Sequence, residues 1–244
     1  MRKSQTFYKY KSLDNFEFLL DVILKERLYA ASHHELNDPM EGVVKIDGTI
    51  PKDKELEWEA LINKFRIVCF SRDKDHSLMW SHYADGARGC IIEFELLEEQ
   101  VVHKISYLKK PTITEKHISI DKAAEILLFK EKPWKYEAES RCLLMEKNKF
   151  LPIYIKSIRF GARAEKSKVD MLMHILKLCK PQLHTLIESE QNLINNIKFV
   201  SRGVRTHVTD RIRTKDYCPD CREKEIIQDD FVGSRELVHL SNSS

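Results

Sequence analysis

Apolar positions along the chain switch between a period of two and a period near 3.6, and the switches mark its elements. Residues 7–10 (FYKY) are aromatic and alternating, as in a short strand. Phe16, Leu19, Leu20, Ile23 and Leu24 then fall at i, i+3, i+4, i+7 and i+8, one stripe of a helix that Ser12 or Asp14 would start. Residues 28–31 predict a second strand, and residues 34–39 a polar turn closed by Pro39. Residues 51–64 are charged and helical in pattern. The run 65–71 (FRIVCFS) is β-branched and aromatic enough for a buried strand. Residues 77–84 predict one or two helical turns stopped by Gly86. Strands are expected at 90–94, 101–107, 141–145 and 153–160, with a helix at 119–129 carrying Ala123, Ile126 and Leu127 on one face.

After Gly161 the pattern becomes helical. Val169, Leu172, Met173 and Leu176 form one stripe, and Leu183, Leu186, Ile187, Leu193, Ile194 and Ile197 form another past Pro181. Strands crowd the first 160 or so residues without regular βαβ alternation, which points to an α+β fold. The expected layout is a mixed or antiparallel sheet core with flanking helices over residues 1–165. A helical extension packed on it at 166–199 and a basic tail with a CxxC at 200–244 would follow.

Composition narrows the class. With 42% hydrophobic and 32% charged residues the chain can bury a core under a solvated surface. Lys and Arg number 41 against 38 Asp and Glu, a net charge of +3, so no global field draws nucleic acid. The first residues lack the apolar stretch of a secretory signal, and no run is long enough to span a bilayer. Cys69, Cys90 and Cys142 sit in apolar strand-like runs, as reduced thiols do, so a cytoplasmic protein is expected. The seven glycines form neither GxGxxG nor GxxxxGK, which argues against a dinucleotide-binding Rossmann unit or a P-loop.

Three polar clusters interrupt the apolar segments. Residues 36–42 (LNDPMEG) make a tight turn by composition, or a loop in which Asn37 and Asp38 line a ligand cleft. Residues 77–89 (SLMWSHYADGARG) carry Trp80, His82, Tyr83 and Arg88. Met79, Trp80 and Tyr83 share a helical face, which suits a core stripe; alternatively Trp80 stacks a planar ring while His82 supplies a hydrogen bond. Residues 130–141 (KEKPWKYEAESR) place Glu137 and Glu139 two apart. On a strand both would point to one face, where unlike surroundings let two carboxylates divide acid–base roles. The plain alternative is a solvated edge strand with surface ion pairs.

These clusters, in order, carry a resemblance. YKY at 8–10, the 28–42 segment ending in LNDPMEG, the 68–94 segment with CFS, MWSHYAD and GCIIEF, WKYEAESR at 134–141 and SIRFG at 157–161 together resemble the bacterial domain-of-unknown-function family 2971. Its members are typically single-domain proteins of mobile or phage-defence gene neighbourhoods. The layout also resembles ADP-ribosyltransferase folds. That second resemblance implies NAD as substrate, with Tyr8, Lys9 or Tyr10 in the early position, Ser32 and Tyr83 in the middle one, and Glu137 and Glu139 in the last. Arg88 or Arg141 would hold the pyrophosphate. The chain departs from that pattern in showing Lys9 where an Arg or His is usual. The expectation that follows is an NAD-dependent ADP-ribosyltransferase of the defence or toxin type that modifies a nucleic acid or protein acceptor, with Tyr83, Glu137 and Glu139 opening on one pocket.

Other functions stay open. The tail with Arg202, Arg205, Arg211 and Arg213 suits a non-enzymatic nucleic-acid-binding, antitoxin or regulatory module. Cys218 and Cys221 read first as a free-thiol turn, and otherwise as half of a structural zinc site, to which His207, Cys179 or His239 would have to contribute, or as a redox pair. A metal-dependent hydrolase on His33, His34, Asp38, Glu41 and His82 is a third reading.

Overall fold

The computed structural model describes residues 5–97, 100–108 and 111–187. In chain order the elements are β1 (Thr6–Lys11), α1 (Phe16–Lys25), β2 (Arg27–Tyr29), β3 (Lys45–Ile46), α2 (Lys52–Ile62), β4 (Phe65–Ser71), α3 (Ser77–Tyr83), β5 (Cys90–Leu96), β6 (His103–Lys104), β7 (Ser106–Leu108), β8 (Thr112–Ile113), α4 (Ile120–Ile126), β9 (Phe129–Glu131), β10 (Glu139–Met145), β11 (Phe150–Phe160) and α5 (Lys166–Cys179). Short 3-10 turns occupy His33–Glu35, Glu115–His117 and Lys132–Glu137. The class is α+β, built on a seven-stranded sheet of order β2-β11-β5-β1-β4-β10-β6. Every pairing in that sheet is antiparallel. Two small parallel pairs, β3 with β8 and β7 with β9, sit outside it.

Alternation along the strands gives the sheet two different faces. On one, Phe7, Val68, Phe70, Ile92, Phe94 and Cys142 pack with Leu19, Val22 and Ile23 of α1 and with Leu172 and Leu176 of α5. Each of the aliphatic and phenyl side chains among them contributes about 1.5–3 kcal/mol by leaving water. Past a break at Lys180 a second helical segment covers residues 181–187, and its Leu183 and Ile187 join the same core. On the other face lie Tyr8, Tyr10, Cys69, Ser71, Glu139 and Arg141, which the register places side by side. That face is covered by α3 and by the 3-10 turn at Lys132–Glu137.

The sheet is not evenly zipped. β1 pairs with β5 along its whole length, from Thr6↔Glu95 to Lys11↔Cys90. It meets β4 at a single register pair, Tyr8↔Ser71. Past that pair the strands part, and β4 is met instead by Ala31, just beyond β2. There Ala31 N–H donates to Ile67 O at 2.9 Å, and Ile67 N–H returns to Ala31 O at 2.7 Å. The far edge of the sheet thus curls round to β4 and leaves a split beside β1. Lys9 Nζ reaches across it to the Cys69 carbonyl at 2.5 Å, supplying the bond that a β1 amide would otherwise make.

Local readings hold with shifts at the edges. The α1 stripe is as predicted, but Asn15 precedes it without a side-chain cap, and Ser12 Oγ accepts from Asp14 N–H at 3.0 Å instead. The strand expected at 101–107 is two short ones, β6 and β7. The helix expected to reach 129 stops at Ile126, because Phe129–Glu131 pairs in parallel with β7. The later part of the second helical stripe, the basic tail and the CxxC lie outside the described residues. Among the described residues no helix is long and apolar enough to cross a membrane.

Candidate functional site

Tyr83 is the last residue of α3, whose Met79, together with Ala84, packs on Tyr10 and Ile91 of the sheet. The chain then turns through Asp85, Gly86 and Ala87, all at positive φ (48°, 57° and 66°), a conformation that non-glycine residues adopt at a cost. Gly89 follows so close to β1 that a Cβ there would lie 2.1 Å from the Lys11 carbonyl oxygen. This tight return fixes the end of α3, and the Tyr83 hydroxyl donates to Oε1 of Glu137.

Glu137 and Glu139 come together differently from the strand alternation expected of them. Glu137 ends the 3-10 turn, Ala138 takes a left-handed conformation (φ 45°), and only Glu139 belongs to β10. Ser71 Oγ donates to the Glu137 carbonyl at 2.6 Å, and Glu139 N–H donates to the Tyr107 hydroxyl at 2.8 Å. Between the two carboxylates stands Lys130 of β9. Its ammonium lies 2.6 Å from Glu137 Oε2, 3.3 Å from Glu139 Oε2 and 3.6 Å from Glu41 Oε1. Arg141 donates from Nε to Glu139 Oε1 at 2.6 Å, from Nη1 to Glu41 Oε2 at 2.9 Å, from Nη2 to Glu41 Oε1 at 2.5 Å and from Nη1 to the Leu127 carbonyl at 2.6 Å.

Three carboxylates therefore face two cations. Arg141 is 0% exposed, and none of the other four is above 7%. Burying charge on this scale costs several kcal/mol per ion unless each is paired and hydrogen-bonded, as these are. The two neighbouring carboxyls are driven apart. Burial pushes Glu137 up, and Lys130 and Tyr83 do not cancel it. Burial acts on Glu139 too, but Arg141 and then Lys130 outweigh it and hold this carboxyl at about 2. Burial, followed by the Glu137 bond, pushes the Tyr83 phenol far up, so it stays a donor. One carboxyl poised to take a proton beside another locked in its ionised form is the arrangement general acid–base chemistry needs.

The cluster opens on a cavity of about 1020 Å³, which Tyr83, Glu137 and Glu139 line together and which runs through the β1–β4 split. Of the residues expected to hold a ligand, Tyr8, Lys9, Tyr10, Asn37, His82 and Arg141 border it. Ser32, Asp38, Trp80 and Arg88 are used elsewhere. Ser32 caps its 3-10 turn with Glu35, and the Asp38 carboxylate accepts from Met40 N–H at 2.9 Å. Trp80 gives its indole N–H to Asp75, meets Tyr10 in a T-shaped contact and has the Arg159 guanidinium over its ring. Arg88 is exposed and turned to Asp85.

Arg141 requires a correction of role: with its guanidinium committed to Glu41, Glu139 and a carbonyl, it cannot clamp a pyrophosphate. It positions the carboxylates. Glu41, which the sequence places in the 36–42 turn and among the candidate metal-hydrolase residues, and Lys130, in a segment whose plain reading is a solvated edge strand, complete the cluster. Their one signal in the sequence was that two carboxylates entering a buried strand need counter-charges nearby. His33 and His34 lie on a 3-10 turn with their ring centroids 3.7 Å apart and their planes tilted by 41°. Among the described residues no group of three His, Cys, Asp or Glu side chains is arranged to hold a metal.

No family model, no curated protein and no solved structure matches the chain.

Proposed function

We propose that the protein is a glycosyl-transfer enzyme that moves ADP-ribose from NAD to an acceptor, with Glu137 as its reacting carboxylate. The observation that carries this reading is the Tyr83–Glu137 hydrogen bond on the wall of a cavity roomy enough for a dinucleotide. Breaking the bond between nicotinamide and ribose sends the electron pair out with nicotinamide and leaves an oxocarbenium-like sugar. A negative cluster fixed beforehand stabilises that developing charge without reorganising. Glu137, raised by burial, suits a base that takes the acceptor's proton as the new bond forms at the sugar carbon. Tyr83 keeps Glu137 aimed, while Glu139, held by Arg141, anchors Lys130 behind it. The resemblance drawn from the sequence motifs alone, to ADP-ribosyltransferase folds and to a defence-associated bacterial family, points in the same direction, that of a toxin or phage-defence effector.

The test is incubation with labelled NAD and bacterial extract. Transfer of label by the natural protein and its loss by roughly 10²-fold or more in Glu137→Gln is the expected outcome. Transfer that persists undiminished in Glu137→Gln, or no consumption of NAD at all, defeats the reading. Growth arrest on expression, relieved by the same substitution, would add the effector role.

A further inference from the structure

We infer that Lys9 and Lys11, facing the cavity where β1 and β4 part, form an anion subsite that takes the diphosphate of a nucleotide. The inference deepens the glycosyl-transfer reading and rests on it only for what lies at the ligand's other end.

Lys9 and Lys11 are two apart on β1, so both side chains leave the same face of the strand as Phe7, opposite that of Tyr8 and Tyr10, from Cα atoms roughly 6.6 Å apart; the split joins the two sides of the sheet there. Both border the cavity. Lys9 Nζ is held by the Cys69 carbonyl, and among the described residues neither ammonium is paired with a carboxylate. Of the acids that share the cavity, all but Glu17 are engaged elsewhere. Asp21 is bound by Arg27 and Lys25, Glu35 by Ser32 and Tyr29, and Glu41, Glu137 and Glu139 by Lys130 and Arg141. Glu17 is exposed on α1.

Two ammonium groups without carboxylate partners on one face of the same strand repel each other, and burial deprives Lys11 of water. The Lys11 amine is accordingly pushed down to about 8, by burial first and by Lys9 second. A fold does not hold two like charges in one hollow for its own stability. A bound anion removes both penalties at once, and a diphosphate carries the matching charge. The site is also built rather than incidental: the approach of Gly89 to the Lys11 carbonyl fixes the backbone of β1 at that point. The cavity is thereby polarised, with cations in the split and a surplus of carboxylate at Tyr83. That suits a ligand with a diphosphate at one end and a centre that turns positive at the other.

The test uses the full chain with inorganic pyrophosphate and with ADP, read by calorimetry, alongside timed acetylation with acetic anhydride followed by peptide mass spectrometry. Both probes are expected to bind, and Lys11→Met to weaken each at least about tenfold, a loss of roughly 1.4 kcal/mol. Arg88→Gln is expected to change nothing. In the natural protein, pyrophosphate should slow acetylation of Lys11 several-fold while leaving that of Lys25 unchanged, a readout that does not depend on any variant folding. Lys11→Met should also raise the Tm of the ligand-free protein, because it removes the repulsion. Absence of binding by both probes overturns the subsite, as does binding that survives Lys11→Met or acetylation of Lys11 that pyrophosphate does not slow. Protection of Lys11 without NAD turnover keeps the subsite and defeats only the transferase reading; NAD turnover without protection does the reverse.

Discussion

The Tyr83 hydroxyl and Oε1 of Glu137 meet across 54 residues of sequence, joining the end of α3 to the turn that leads into β10. Replacing Tyr83 by Phe deletes the donor and keeps the ring, so packing with Met79 and Tyr10 survives. The carboxylate oxygen then loses a partner in a buried setting, which costs about 1–3 kcal/mol. Urea unfolding should show that loss, and the rate of NAD consumption should fall with it. A Phe variant as stable as the natural protein would mean that the bond contributes nothing.

Arg141 is the other side chain on which the cluster depends. Arg141→Met leaves Glu41 and Glu139 buried beside Lys130 alone, and breaking a buried pair in this way costs about 3–5 kcal/mol. Chemical denaturation is expected to place this variant near the edge of folding. Lys168→Ala, which breaks the exposed pair with Asp14, should leave the denaturation midpoint where it was.

Acid should expose the difference between the two neighbouring carboxyls. Glu139 lies at about 2 in the folded protein against an ordinary 4.5. A group more acidic folded than unfolded stabilises the fold above the unfolded value, and that stabilisation is lost as pH falls from 4.5 through about 2. Glu137 is raised and acts in the opposite sense, since its folded form takes up a proton first. Over that window the stability of Glu139→Gln is therefore expected to fall less steeply with pH than that of the natural protein. Parallel slopes in paired urea titrations would refute the assignment.

Gly89 offers a purely steric check. Alanine there would set a methyl group 2.1 Å from the Lys11 carbonyl, and backbone atoms cannot step aside as a flexible side chain can. A loss of about 1–3 kcal/mol is expected, together with weaker pyrophosphate binding as β1 shifts. Thermal melts with and without pyrophosphate measure both.

What the sequence revealed depended on how local the cause was. The stripe from Phe16 to Leu24 and the apolar runs of β4 and β5 are periodic within themselves, and they appear where the pattern places them. Phe129–Glu131 has no such signature, since its extended form comes from pairing with β7 more than twenty residues earlier. Lys130 consequently looked like a solvated lysine, although it is the centre of the charge cluster. Arg141 looked like an anion clamp because its chemistry allows that role; only the fold reveals that Glu41, a hundred residues away, has already claimed it. The split was the least visible feature, because a rung that fails to form leaves no mark in a residue pattern.

That missing pairing has a consequence for how the hollow came to exist. Many proteins enclose a ligand by adding loops or a second domain around it. Here an interior is obtained by subtraction: one strand leaves its neighbour after a single rung, and a lysine ammonium takes the place of the absent amide. A change that re-zipped β1 to β4 would strengthen the sheet and erase the chamber, so in this chain sheet continuity and an interior for ligand are alternatives at the same backbone position.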